Sequence, residues 1–390
     1  KTLEKEPVRR YQSAGALSED IERYLQNQPI AARPASGLYQ LRKLVARHKI
    51  GFGFVGASVV LLAGFALTMT LLSARIARER TRAEKEAAKA TAINNFLLET
   101  MGSANPVEGS GRDTTVLEAL GAAVGKIGSS FKDQPDVEMD LRQIIGQTYL
   151  RLGRYKEAED LLLSSVRIAE KTYGPEHHSL ASPLTALAVL KHELGAYAEA
   201  EAYYRRALSI QRRTGTREND SDDLSILNNL ALVLQDQGQL DEAETLFREI
   251  LESDRKRRSE AVYIATDLNN LGNLLLKKGD LAAAEPVLRQ AVKGFEEQGH
   301  PWLSFAKSNL AFLLSRKGAH REAETIFAEA LPAALKDFGE DNQDVAKLRC
   351  KYGTCLIEIG RYADAEALLL AAFRVFDGSL GREDEWTQRT

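Results

Sequence analysis

Two hydrophobic patterns divide the chain. Between Ile50 and Ala74 the sequence reads IGFGFVGASVVLLAGFALTMTLLSA, 25 residues with no charge and no polar stripe. Further on, large apolar and small residues recur at fixed offsets from a series of glycines. The first pattern predicts a continuous apolar helix of roughly 38 Å, at about 1.5 Å per residue. That exceeds the ~30 Å hydrocarbon core of a bilayer, so residues 49–74 are expected to span a membrane with some tilt. A signal peptide has a shorter apolar core and lacks so long a polar preface. A core helix of this length in a soluble protein would carry a polar stripe. Arg33, Arg42, Lys43, Arg47 and Lys49 flank the segment on one side, and Arg75, Arg78, Arg80, Arg82, Lys85 and Lys89 on the other. Five against six leaves orientation open on charge alone.

Residues 75–112 read as a helical stalk and linker. Ala, Arg, Lys and Glu dominate as far as Met101, a strongly helix-forming composition with i,i+4 pairs such as Arg75–Glu79 and Arg80–Glu84. A Gly/Ser/Asn/Pro break follows from Gly102 to Gly111. No sustained apolar heptad supports a coiled coil, so association into a homodimer stays open.

The second pattern is an internal repeat. LGRYKEAEDLL, LGAYAEAEAYY, QGQLDEAETLF, KGDLAAAEPVL, KGAHREAETIF and IGRYADAEALL begin at Leu152, Leu194, Gln237, Lys278, Lys317 and Ile359. Their glycines, Gly153, Gly195, Gly238, Gly279, Gly318 and Gly360, are spaced 42, 43, 41, 39 and 42 residues apart. A glycine suits a tight helix–helix turn, where positive φ is easiest without a Cβ. Alanine follows five positions on in all six copies (Ala158, Ala200, Ala243, Ala284, Ala323, Ala365), then glutamate, and a bulky residue nine positions on. A large–small pair precedes each glycine by eight and seven positions, from Ile145–Gly146 to Tyr352–Gly353. Large residues fill a core, and small ones admit a neighbouring helix. Lys191 stands where an apolar residue is expected, and Pro286 sits early in a second helix, where it is tolerable. Val116 to about Phe131 reads as a further helix capping the stack.

This spacing resembles the tetratricopeptide repeat over Asp136 to about Asp377, in the long-period subclass typified by kinesin light chains. The LNNLA string of Leu227–Ala231 and the turn Gly174-Pro175-Glu176-His177 carry that likeness. The resemblance implies an all-α superhelix over residues 113–380, with 381–390 a tail or the start of another repeat. It also implies a concave groove lined by the first helix of each pair. The position ten residues before each glycine would face it: Gln143, Thr185, Asn228, Asn269, Ser308 and Cys350. Gln147 and Asn273 add amides one turn on. Short polar side chains can hydrogen-bond the backbone of an extended peptide. The alternative is a merely solvated helix face.

Composition narrows the chemistry. Net charge is −3, so no overall basic field points to nucleic acid. Two cysteines, Cys350 and Cys355, give neither a disulfide framework nor a Cys-rich zinc site. His177–His178 reads as a turn pair rather than a metal site. Gly51–Gly56 spells GxGxxG inside the apolar helix, and Asp337-Phe338-Gly339 and His320-Arg321-Glu322 mimic kinase motifs at inter-helix turns. None has the context phosphoryl transfer needs, so no catalytic residue and no cofactor site is expected in this chain.

The N-terminal residues LEKEPVRRYQSAGALSEDIERYLQNQPIAARP are similar to the last helices of bacterial serine/threonine protein kinases. Lys5, Pro7, Arg10, Tyr11, Ala14, Leu17, Asp20, Ile21, Tyr24 and Leu25 match that family's pattern, and residues 29–48 resemble its juxtamembrane tail. In the family, the arginine matching Arg10 pairs with a glutamate that this chain lacks. Residues 1–48 would then be a helical remnant of a kinase C-lobe, and the chain, which begins at Lys1, a piece of a receptor-type kinase. ATP and Mg²⁺ would belong to the missing domain. The resemblance implies a bacterial inner membrane, a cytoplasmic N-terminus, repeats on the outer side and a peptide or protein ligand. A free-standing membrane-anchored adaptor is the other reading. A radiolabelled ATP assay separates inactivity of this chain from autophosphorylation.

Overall fold

The computed structural model describes residues 11–32, 36–102, 116–214 and 220–379, and the regular structure among them is helical throughout. Arg10 and the tail 381–390 lie outside the described residues. The chain forms two compact units, Lys1–Ala92 and Ile93–Thr390.

In the first unit, α1 spans Ala14–Leu25 and α2 spans Gly37–Arg47. Ser13 and Ser36 cap them, their hydroxyls accepting from Ala16 N and Tyr39 N at 3.1 and 3.3 Å. Asp20 organises the turn between them. Its carboxylate accepts from the Tyr11 hydroxyl and from the Ala31 and Ala32 amides at 2.9, 2.7 and 2.8 Å. These bonds, the Ala31 amide first, hold it below the usual carboxylate range. Lys43 lies 4.3 Å from the centre of the Tyr24 ring. The third helix, α3, runs unbroken over Lys49–Gly102, 54 residues or about 81 Å. Its apolar stretch is long enough to cross a membrane by length and composition, and 0% of it is buried. The Gly51–Gly56 string is helical and forms no phosphate loop. Arg75–Glu79 and Arg80–Glu84 pair at 2.9 and 2.8 Å.

The second unit opens on the last turns of α3. Phe96 is buried edge-on against Phe131, with ring centres 5.3 Å apart. The compact unit starts at Ile93, so the last turns of α3 pack with it, Phe96 among them. After α4 (Val116–Ser130) come six helical hairpins: α5 Pro135–Arg151 with α6 Tyr155–Tyr173, α7 Ala181–Glu193 with α8 Tyr197–Thr214, α9 Asp220–Asp236 with α10 Leu240–Arg257, α11 Ala261–Lys278 with α12 Leu281–Glu297, α13 Leu303–Arg316 with α14 His320–Phe338, and α15 Gln343–Glu358 with α16 Tyr362–Ser379.

Each column of the repeat has a physical job. The six turn glycines have φ between 69 and 84°, the left-handed region. The six alanines are at most 1% exposed. The small residue seven before each glycine matches the bulky one nine after it. A Cβ on Gly146, Gly272 or Gly353 would lie 3.0, 2.5 or 3.0 Å from Leu162, Leu288 or Leu369. Where that bulky residue is instead aromatic (Tyr204, Phe247, Phe327), alanine stands opposite in the register: Ala188, Ala231, Ala311. A flat ring leaves room for a methyl group that a branched leucine fills. Pro286 lies inside α12, which stays continuous.

In four of the six repeats the glutamate after the alanine ties its hairpin to the next. Glu159 pairs with Lys191, Glu244 with Lys278, Glu285 with Lys317 and Glu324 with Arg361, each cation coming from the next hairpin. Lys191 thereby replaces an apolar residue without burying a bare charge. It bonds Glu159 and Glu199 at 2.8 and 2.9 Å, and these bonds raise its pKa.

Candidate binding groove

Neighbouring first helices approach one another (α5 with α7, α7 with α9, α11 with α13, α13 with α15), and no two second helices do so to a comparable extent among the described residues. The first helices therefore line the inner side of the stack's curve.

The column ten residues before each glycine is not a uniform row of free polar groups. Gln143 donates to Ser182 Oγ at 2.7 Å, and Thr185 donates to Ala181 O in its own helix at 2.8 Å. Asn228 Oδ1 accepts from Asn270 Nδ2 at 3.0 Å, and Asn269 Oδ1 from Asn309 Nδ2 at 2.9 Å. Lys351 in turn donates to Asn309 Oδ1. The result is an amide ladder from hairpin to hairpin. Asn269 is 8% and Ser308 2% exposed, so both sit between helices rather than on an open face. Ser308 Oγ has no partner. Cys350 is half-buried. Burial pushes the Lys351 ammonium down to about 8.

One helical turn on, the face is more open. Gln147 and Asn273 are half-buried there, as are Val189, Leu232 and Phe312, while Thr354 is exposed. The three apolar members were missed in the sequence, although their offset of six before the glycine matches that of Gln147 and Asn273. Gln147 borders a cavity of about 770 Å³ that Arg151, Tyr155, Val189 and Glu193 also line, with Gln343 reaching it from the sixth hairpin. Burial, and then the Glu193 charge, raise the pKa of the Tyr155 phenol. The face thus alternates amides, which can satisfy a peptide backbone, with apolar side chains, which can bury its side chains.

Polar ties at the ends of the first helices fix the curve. Asp236 meets His192 Nε2 at 3.0 Å and Lys277 Nζ at 3.3 Å, and Lys277 also donates to Gln235 O at 3.0 Å. Burial alone would raise the Asp236 pKa, but His192 and Lys277 outweigh it and the net shift is downward. The kinase-like strings lie at the two ends of one helix here: His320-Arg321-Glu322 opens α14, and Asp337-Phe338-Gly339 closes it with Gly339 at φ 85°.

A sequence profile described as tetratricopeptide repeat matches residues 140–213, 222–297 and 303–377. No curated protein sequence matches the chain. Similar solved structures include aspartyl phosphate phosphatase F from Bacillus subtilis (14% identity, TM-score 0.50, covering 75% of this chain and 80% of that one). A Rap protein complexed with competence and sporulation factor has 20% identity and a TM-score of 0.48, with 66% and 74% covered. The apo form of the quorum sensor NprR from B. thuringiensis has 16% identity and a TM-score of 0.48, with 73% and 87% covered. Identities this low speak to the helical-repeat fold alone.

Proposed function

The chain belongs to the tetratricopeptide-repeat family, and from that premise we propose that it captures a protein or peptide segment along the inner face of its first helices. One observation carries the reading: the half-buried row of Gln147, Val189, Leu232, Asn273 and Phe312, which mixes amides with apolar side chains. We further propose that capture happens at a bacterial inner membrane, in the outward-facing part of a receptor-type serine/threonine kinase. The unbroken apolar stretch of α3 supports the anchor. Two features support the kinase tail. The matching Asp20 holds its turn through three hydrogen bonds. Ile21, Tyr24 and Leu25 are 51, 61 and 73% exposed, which suits a helix cut from a larger domain. ATP and Mg²⁺ belong, on this reading, to that domain and not to this chain.

The test is selection of peptides from a displayed library by the full chain in nanodiscs, followed by titration calorimetry with a selected peptide. The double variant Gln147→Arg/Asn273→Arg should weaken binding at least about tenfold, roughly 1.4 kcal/mol, with an unchanged melting temperature. Equal affinity for the wild-type and double-variant chains would remove the groove from the account.

A further inference from the structure

The seam between the third and fourth hairpins differs from the others. Sixteen residues after one turn glycine and twelve before the next lie two buried columns that meet at the seams. At the fourth seam they supply Phe295 and Ala306, members of one apolar cluster. At the third seam they supply Asp254 of α10 and Asp267 of α11, which are 9% and 7% exposed. No donor reaches Asp267 Oδ2. The register that joins Phe295 to Ala306 at the fourth seam sets the buried Asp254 carboxyl beside it. Two carboxyls can bond each other only if one carries a proton.

The turn around Asp254 is unusual too. Asp254 Oδ1 accepts from the Ser259 hydroxyl at 2.7 Å, and its backbone oxygen accepts from Ser259 N at 3.0 Å. Between them Arg258 sits at φ 54° and ψ 42°, in the left-handed region that a non-glycine residue rarely adopts. Among the described residues, α9 and α11 are also the neighbouring first helices that approach least.

We infer that this seam is a proton-locked joint: a proton shared by Asp254 and Asp267 holds the third and fourth hairpins closed, and its loss at alkaline pH loosens the array at its middle. Burial first, and the Asp254 charge second, push the Asp267 carboxyl up to about 8. Among the described residues, the charge acting on it is that of Asp254 on α10. An unfolded aspartate titrates near 3.9. Between about 4 and about 8 the folded chain therefore keeps a proton that the unfolded chain has released. The joint is tightest at the acid end of that window, weakens as pH rises, and levels off above it.

Hydrogen exchange of the full chain in nanodiscs at pH 6 and pH 9, corrected for intrinsic rates, tests this. Peptides covering 254–267 should lose protection by about tenfold or more, one pKa unit being a factor of ten, while those covering 295–306 should not. Asp267→Asn keeps a donor for Asp254 without a titrating group, and Asp267→Ala copies Ala306. Both should hold their pH 6 protection at pH 9. Lys351, also titrating near 8, is present in every protein compared, so its contribution cancels. Wild-type protection over 254–267 that ignores pH, or both variants keeping the wild-type pH dependence, would overturn the joint.

Discussion

The two units are both helical, yet they treat apolar side chains in opposite ways. In the array, Leu162, Tyr204, Phe247, Leu288 and Phe327 are at most 1% exposed. In the N-terminal unit, Leu25, Leu38, Val60, Leu62 and Phe65 are 65 to 83% exposed. Helix propensity does not distinguish them; the periodicity of the side chains does. The array's spacing lets each hairpin close on itself and on its neighbour. The uncharged stretch of α3 has no polar stripe, so nothing within one helix can hide it from water. On the proposed reading its apolar surface meets lipid, and that of α1 meets protein.

This contrast can be broken in several places. The largest effect should come from Leu62→Lys/Phe65→Lys. A lysine at the centre of a spanning helix costs about 2.5–3.5 kcal/mol in insertion, so the double variant should leave the membrane fraction. The thermal melt of the array should stay as it was, and the variant remaining in the membrane would refute the lipid reading. Next comes Leu288→Ala, expected to cost about 2–5 kcal/mol because a fully buried side chain leaves a cavity. Leu62→Ala, the same change on the exposed segment, should leave chemical denaturation of the array untouched.

Gly272→Ala sharpens the picture further. Its new Cβ would press on the Leu288 side chain, at about 1–3 kcal/mol for overpacking. Adding Leu288→Phe restores the alanine–aromatic pairing of Ala231 with Phe247 and should recover most of the loss. A Gly272→Ala chain as stable as wild type would remove the explanation for that column. The smallest effect belongs to Glu285→Gln. It removes the ties to Lys317 and Arg289, cations that are 41 and 48% exposed. Solvent screening leaves about 0.2–1 kcal/mol per pair, read as a small shift in the melting midpoint that added salt should erase.

The turn glycines, the alanine column and the large–small pairs were legible because each contact is made within one repeat and returns at one offset. The partners of the invariant glutamate were not. Lys191 lies four residues before its turn glycine, Lys278 one before, and Arg361 one after, so in the four repeats that make the tie the cation has no fixed position in the repeat. The common offset of Gln147 and Asn273, six before their glycines, was legible in the spacing. The burial of Asn269 and Ser308 was not, because it depends on how closely adjacent first helices approach. The same holds for Asp254 and Asp267, which are 13 residues apart in sequence and unremarkable until two hairpins stack.

The claim that the first helices form the capturing surface is tested most directly by site-specific photocrosslinking in the native membrane. A photoreactive residue at 273 points from the first-helix face of the fourth hairpin, and one at Lys293, whose side chain is 74% exposed, from its second helix. A discrete crosslinked polypeptide from position 273, and none from 293, is the predicted result. Crosslinks of equal yield from both positions, or from 293 alone, would contradict it.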